Sequence, residues 1–198
     1  MSQTTVSAED ILIRAQDTPN PYALKFIVNV PLKNEGKATF VSRAECENLP
    51  LVESLFMIPG VKQVYLFQNT VTITHSGELS TELIKEQVSS VIRTRWSVHD
   101  PDFTTAEEKA MPPQRPMDHR EKSPEIQKIE EILDRTIRPG LQADGGDIEI
   151  LEFKNNELRI LYQGACGGCP SAMMGTLDAI QNILRHELDN DQLFVIPI

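Results

Sequence analysis

Apolar residues recur along this chain with two periods, at alternate positions in some stretches and every third or fourth position in others. The changes of period outline its elements. Leu24, Phe26 and Val28 alternate with Lys25, Ile27 and Asn29, which predicts a strand. A loop around Asn34–Gly36 leads to a second, Ala38–Ser42. Pro50 opens a helix with the face Leu51, Val52, Leu55 and Phe56, stopped by Pro59-Gly60. Val61–Phe67 and Thr70–Thr74 are β-rich runs around Gln68-Asn69, a predicted hairpin. Leu83, Val88, Val91 and Ile92 mark another helix, ending near Trp96.

The second half has the same kind of content without repeating the sequence. Ser123-Pro124-Glu125 supplies an N-cap, a first-turn proline and an acid at a helix N-terminus. Ile126, Ile129, Ile132, Leu133 and Ile137 then make an apolar stripe, stopped by Pro139-Gly140. Asp144-Gly145-Gly146-Asp147 reads as a turn. Ile148–Phe153 and Leu158–Tyr162 read as strands joined by the hairpin Lys154-Asn155-Asn156-Glu157. A final helix from about Ser171 to Leu188 buries Met173, Leu177, Ile180 and Leu184, and Leu193–Ile196 adds a last short strand.

Between the halves, Pro101, Pro112, Pro113 and Pro116 deny the chain a regular ladder, and the mixed-charge residues around them offer little to bury. A short helix over Thr105–Met111 is compatible with that stretch. The expected fold class is α+β: two small α+β domains, 18–99 and 124–198, joined by a Pro-rich, polar linker, 100–123.

Charge narrows the partners. The chain carries a formal net charge of −10, concentrated in residues 124–198, where 6 Lys/Arg face 13 Asp/Glu. A nucleic-acid binder needs a basic footprint, so that class is set aside. The acidic half suits partners with basic faces. No run approaches the roughly 18–20 apolar residues that span a bilayer, so no membrane role is expected. Residues 1–16 contain Glu9 and Asp10 and show neither a signal core nor an Arg-rich transit pattern.

Chemistry is concentrated at Gly164-Ala165-Cys166-Gly167-Gly168-Cys169-Pro170-Ser171, between the second hairpin strand and the last helix. The two glycines between the thiols let the backbone take positive φ and wrap around whatever the sulfurs hold. Pro170 suits a helix start, and the helix N-terminus beside Cys169 favours thiolate. Spacing alone leaves three readings open. Zinc wants four ligands, and His186, the sole histidine of this module, lies some five turns down the helix. A thioredoxin-like redox pair would need a βαβ pattern before the motif, whereas a helix and a hairpin precede it. An iron–sulfur cluster also needs four thiolates, which two CxxC loops of a symmetric dimer would supply.

At these residues the chain resembles a known family. LQADGGDIEILEF (Leu141–Phe153) and LRILYQGACGGCPSAMMGTLDAIQNILRHEL (Leu158–Leu188) look like the NifU C-terminal-like domain of Nfu-type iron–sulfur carrier proteins, over about residues 125–190. Thr18-Pro19-Asn20-Pro21 with Leu24-Lys25-Phe26, then Pro50-Leu51, Leu55–Val61 and Val71–Thr74, resemble the Nfu N-terminal domain. The resemblance implies a [4Fe–4S] cluster, with [2Fe–2S] as the alternative, bridging a homodimer through Cys166 and Cys169 of each chain. It further implies a carrier rather than an enzyme, receiving a cluster from an upstream assembly scaffold and delivering it to client apo-proteins. With no targeting segment ahead of the first module, the expected setting is the bacterial cytoplasm, with a processed mitochondrial form as the alternative.

Other reactive residues read blandly. Cys46 lies among Glu45 and Glu47, which would raise its pKa, and gets no ligand role. Met173 reads as core filling, and Met174 as cover beside the loop. Asp144 and Asp147 read as turn residues, and His75, His99, His119 and His186 get no role. The competing functional readings are a thiol–disulfide oxidoreductase using the CxxC pair and an interaction module led by the first domain.

Overall fold

A computed structural model resolves the chain into two units, residues 1–109 and 110–198. It describes residues 7–46, 48–105, 123–167 and 170–198, and for 170–174 the backbone only. Both units combine helices with a sheet, so the α+β class holds.

The first unit is built on a five-stranded antiparallel sheet of order β1-β2-β5-β4-β3. Its strands are β1 (Ile13–Asp17), β2 (Ala23–Val28), β3 (Lys33–Phe40), β4 (Val61–Gln68) and β5 (Thr70–His75). Helices α1 (Pro50–Phe56) and α2 (Thr81–Arg95) contribute Leu51, Val52, Leu55, Ile84, Val88 and Ile92 to the core formed with Phe26, Val64 and Ile73. Ser80 caps α2 by accepting from the Leu83 amide.

Three expectations change here. The stretch Asn34–Gly36 is a bulge inside β3, where the register with β4 shifts between Lys33 and Lys37, and Gly36 takes φ +68°. Leu83 is exposed and Ile84 takes its place in the core, because the buried face is the i, i+4, i+8 row Ile84-Val88-Ile92. The chain past Asp100 is not free of the first unit. Phe103 is buried, the Asn34 amide donates to the Pro101 carbonyl at 2.9 Å, and His99 Nε2 bonds the Leu32 carbonyl oxygen at 2.7 Å. The rest of the expected linker, with the helix over Thr105–Met111, lies outside the described residues from 106 on.

The second unit holds α3 (Pro124–Thr136), α4 (Arg138–Ala143), β6 (Gly146–Lys154), β7 (Glu157–Gly164), α5 (Pro170–Leu188) and β8 (Phe194–Pro197). Ser123 caps α3 through Ile126 N, as its sequence suggests. Pro139-Gly140 does not end helical structure; it falls in the first turn of α4, where a proline costs no hydrogen bond. The sheet has the order β6-β7-β8. β6 and β7 form a hairpin whose turn residues Asn155 and Asn156 both take positive φ, 52° and 65°, as a two-residue hairpin turn requires. β8 runs parallel to β7, which demands a crossover, and α5 is that crossover. Ile129, Leu133, Ile148, Leu158, Ile160, Ile180, Leu184 and Val195 close the core.

Candidate metal centre

The cysteine loop is where β7 gives way to the crossover helix. Gly164, the last residue of β7, has φ +63°, and turns the chain out of the sheet just ahead of the first cysteine. The Ala165 amide donates to the Gly145 carbonyl at 3.1 Å and the Gly167 amide to the Gly164 carbonyl at 3.1 Å, so the base of the loop is tied to the start of β6. Ala165 is buried, and Cys166 is half-buried, packed at the edge of the core. Cys169 and Gly168 lie outside the described residues, as do the side chains of Met173 and Met174.

The Cys166 thiol is pushed up to about 12, first by burial and then by the carboxylates of Asp144 and Asp147. The thiolate-favouring field expected at the helix start concerns Cys169, outside the described residues. A thiol in such a place keeps its proton at neutral pH, and any cation that came to bind it would have to displace that proton. The same burial, with the neighbouring Cys166, pushes the Tyr162 hydroxyl up to about 12. A nucleophilic redox cysteine needs the opposite environment, a depressed pKa.

Asp144-Gly145-Gly146-Asp147 is only half a turn. Asp144 and Gly145 end α4, with Gly145 at φ +82°, while Gly146 and Asp147 are already the first residues of β6. Asp147 is buried; its Oδ1 accepts from the Ile148 amide at 2.7 Å and lies 3.5 Å from Arg138 Nε. Arg138 also pairs with Asp134 one turn back on the chain. Opposite Asp147 on β7 is Gln163, likewise buried, whose Nε2 donates to Glu149 Oε2 at 2.7 Å. Sequence reasoning missed this polar group beside the thiol, because Asp147 and Gln163 meet through strand register and Arg138 reaches Asp147 from α4.

Cys46 is in the core of the first unit, with Sγ donating to the Ser42 carbonyl at 3.4 Å. Its thiol is pushed up to about 11, by burial first and then by Glu45 and Glu53, which fits an inert thiol. His75 and His99 are buried in the first unit, His186 is exposed on α5, and His119 is outside the described residues. Among the described residues no three or more His, Cys, Asp or Glu are grouped to hold a metal, and no helix is long and apolar enough to cross a membrane. Of the two loop cysteines, Cys166 is the one among the described residues.

Comparison with known proteins defines both units. Residues 129–193 match the NifU-like domain, and residues 13–98 match the family described as scaffold protein Nfu/NifU N terminal. A small α+β domain of each kind, in this order, defines the Nfu-type class. The chain belongs to this family.

It is 32% identical over 183 residues to the NifU-like protein 5, mitochondrial, of Arabidopsis thaliana, covering 89% of this chain and 64% of that protein. It is 31% identical over 183 residues to the NFU1 iron-sulfur cluster scaffold homolog, mitochondrial, of Drosophila persimilis, covering 92% of this chain and 64% of that one. The chain thus spans less than two thirds of the length of these curated relatives. A solution structure of a NifU-like protein from Saccharomyces cerevisiae overlaps 49% of this chain and 84% of its own, at 19% identity and a TM-score of 0.40, too loose a likeness to add to the assignment. The relatives compared are named as mitochondrial, so the expected bacterial cytoplasm finds no support in them.

Proposed function

We propose that this protein is an iron–sulfur cluster carrier: two chains hold one [4Fe–4S] cluster through Cys166 and Cys169 of each and surrender it to client apo-proteins. The observation that carries the reading is Cys166 itself, a half-buried thiol at the mouth of a strand-to-helix loop tied to Gly145, within a NifU-like domain. Cluster and clients are its cargo and its partners; an upstream assembly scaffold is the donor. [2Fe–2S] is the alternative cargo. Two cysteines per chain satisfy a cluster only when a second chain joins, so loading and homodimer formation are linked by mass action.

The reading is of a carrier and not an enzyme. The raised Cys166 pKa disfavours a thiol–disulfide oxidoreductase led by that residue, whose rate depends on the thiolate fraction. The cluster-bearing module is residues 124–198, and the module at 18–99 assists partner recognition. The compartment named for the relatives makes a mitochondrial setting the better-supported one.

Anaerobic reconstitution with iron and sulfide tests the proposal. It is expected to yield about four irons and four sulfides per two chains, in a species of dimer mass. Cys166→Ser and Cys169→Ser should each abolish most of that iron. A colourless monomer after reconstitution, or full iron in the Cys166→Ser protein, contradicts it.

A further inference from the structure

The two glycines that precede Asp147 are glycine for different reasons. Gly145 sits at φ +82°, where side chains are strained. Gly146 has no such φ, so its backbone conformation would accept alanine. What it lacks is space. A Cβ on Gly146 would collide with Cys166 Sγ and would lie 2.9 Å from both the Cys166 backbone nitrogen and the Gln163 carbonyl oxygen. Gly146 is paired across the ladder with Gly164, and its neighbour Gly145 accepts the Ala165 amide. The backbone of 145–146 is therefore the floor on which the first half of the cysteine loop lies.

We propose that Gly146 is a positioning residue for the cluster site: the side chain it lacks is the room that Cys166 Sγ occupies. The functional consequence rests on the reading of Cys166 as a ligand; the spatial claim does not. Any side chain at 146 drives the sulfur off its place, and cluster ligation tolerates little misplacement. The rival account is that glycine is needed only for the two backbone approaches at 2.9 Å. The two accounts differ in one respect. If the sulfur is the main obstacle a Cβ meets, removing the sulfur must relieve the part of the cost that exceeds those two approaches.

A double-mutant cycle in the full-length chain decides this. The two backbone approaches at 2.9 Å cost the same in either background; beyond that shared loss, Gly146→Ala is expected to lower amide-exchange protection in β6 and β7 about tenfold more with Cys166 present than with Cys166→Ala. Equal losses in the two backgrounds overturn the proposal. Should the Gly146→Ala protein fail to fold, the Gly146→Ala/Cys166→Ala protein must regain measurable protection in β6 and β7, or the proposal is wrong. Alkylation is a second readout, measured without metal on protein carrying Cys46→Ala and Cys169→Ala. Cys166 should react about tenfold faster once Gly146→Ala displaces it, while Gly175→Ala, where a Cβ meets nothing within 4 Å, leaves the rate unchanged. An unchanged rate in Gly146→Ala also overturns the proposal. Reconstituted Gly146→Ala should lose its cluster about tenfold faster than the parent; equal retention overturns the functional part. If the parent itself binds no cluster, the carrier reading fails, and the cycle and the alkylation rates still decide what Gly146 does.

Discussion

Lys33 donates its ammonium group to the carbonyl oxygen of Phe103 at 2.7 Å and lies 4.5 Å from the centre of that residue's ring. A lysine only 3% exposed is tolerable because this partner offers both an acceptor and a π face. The contact joins β3 to a residue seventy positions later, so Phe103 belongs to the core of the first unit. Phe103→Ala should destabilise that unit by about 3 kcal/mol, through lost burial and a lysine left short of a ring. Urea unfolding followed at Trp96, the only tryptophan, checks this; a change below about 0.5 kcal/mol would mean the segment is not part of the core.

His99 gives the first unit a stability that depends on pH. Burial lowers its pKa from the ordinary 6.5, outweighing the Leu32 carbonyl and Asp100, which raise it. The unfolded chain therefore takes up the proton first as pH falls. Stability contributed in this way is complete above pH 6.5 and is lost as the pH drops from there toward the folded value. The slope should reach up to about 1.4 kcal/mol per pH unit for each such histidine. His75, also lowered by burial, acts in the same sense. The unfolding midpoint read at Trp96 should be flat above neutrality and fall in mild acid, less steeply in His99→Gln. An unchanged slope in that variant removes His99 from the account.

The hairpin turn of the second unit makes a separate prediction. Asn156 takes φ +65°, its carbonyl accepts the Phe194 amide at 2.8 Å, and its Oδ1 accepts from Asn190 Nδ2 at 2.9 Å. Asn156→Ala keeps the carbonyl but strains the backbone and loses the side-chain bond, for a cost of about 1–2 kcal/mol. Asn156→Gly relieves the strain and should cost less. Amide exchange across β6 and β7 reads both; equal losses would show that backbone strain is not the dominant cost.

Cys46 and Cys166 should behave as different kinds of thiol although both have raised pKa values. Cys46→Ala should leave the iron content after reconstitution unchanged and cost about 1 kcal/mol in the first unit. Iron analysis beside the parent protein is the check, and a halved iron content would give Cys46 a part in loading.

Much of this architecture could be read from residue order. The hairpins around Gln68-Asn69 and Asn155-Asn156, the cap at Ser123, and the helix after the cysteine loop rest on local signals, and these survive folding. The failures share a cause. β1 went unread because Ile13–Asp17 is an edge strand whose one partner among the described residues is β2, so three of its five positions are polar and the alternation is faint. Leu83 was taken for the buried position because Leu83 and Ile84 differ by one step around a helix, and only the sheet decides which faces it. Phe103 stood among prolines and charges, where one apolar residue has no period. At the site, the cysteine pair was plain from its spacing. The closeness of Gly146 to the Cys166 sulfur was not, since those residues are twenty positions apart and meet only across the end of a hairpin.

That hairpin has a further effect. Its turn at Asn155-Asn156 sets the register of β6 on β7 as far as Glu152–Arg159, and a shift between Ile150 and Glu152 then carries the ladder to the pair Gly146–Gly164 at the far end. Were the strands to slip by a single step, Asp147 rather than Gly146 would arrive opposite Gly164, and a carboxylate would stand in the sulfur's place. The two asparagines and the mid-strand shift thus act together as a gauge for where Gly146 meets the Cys166 sulfur at the opposite end of the ladder.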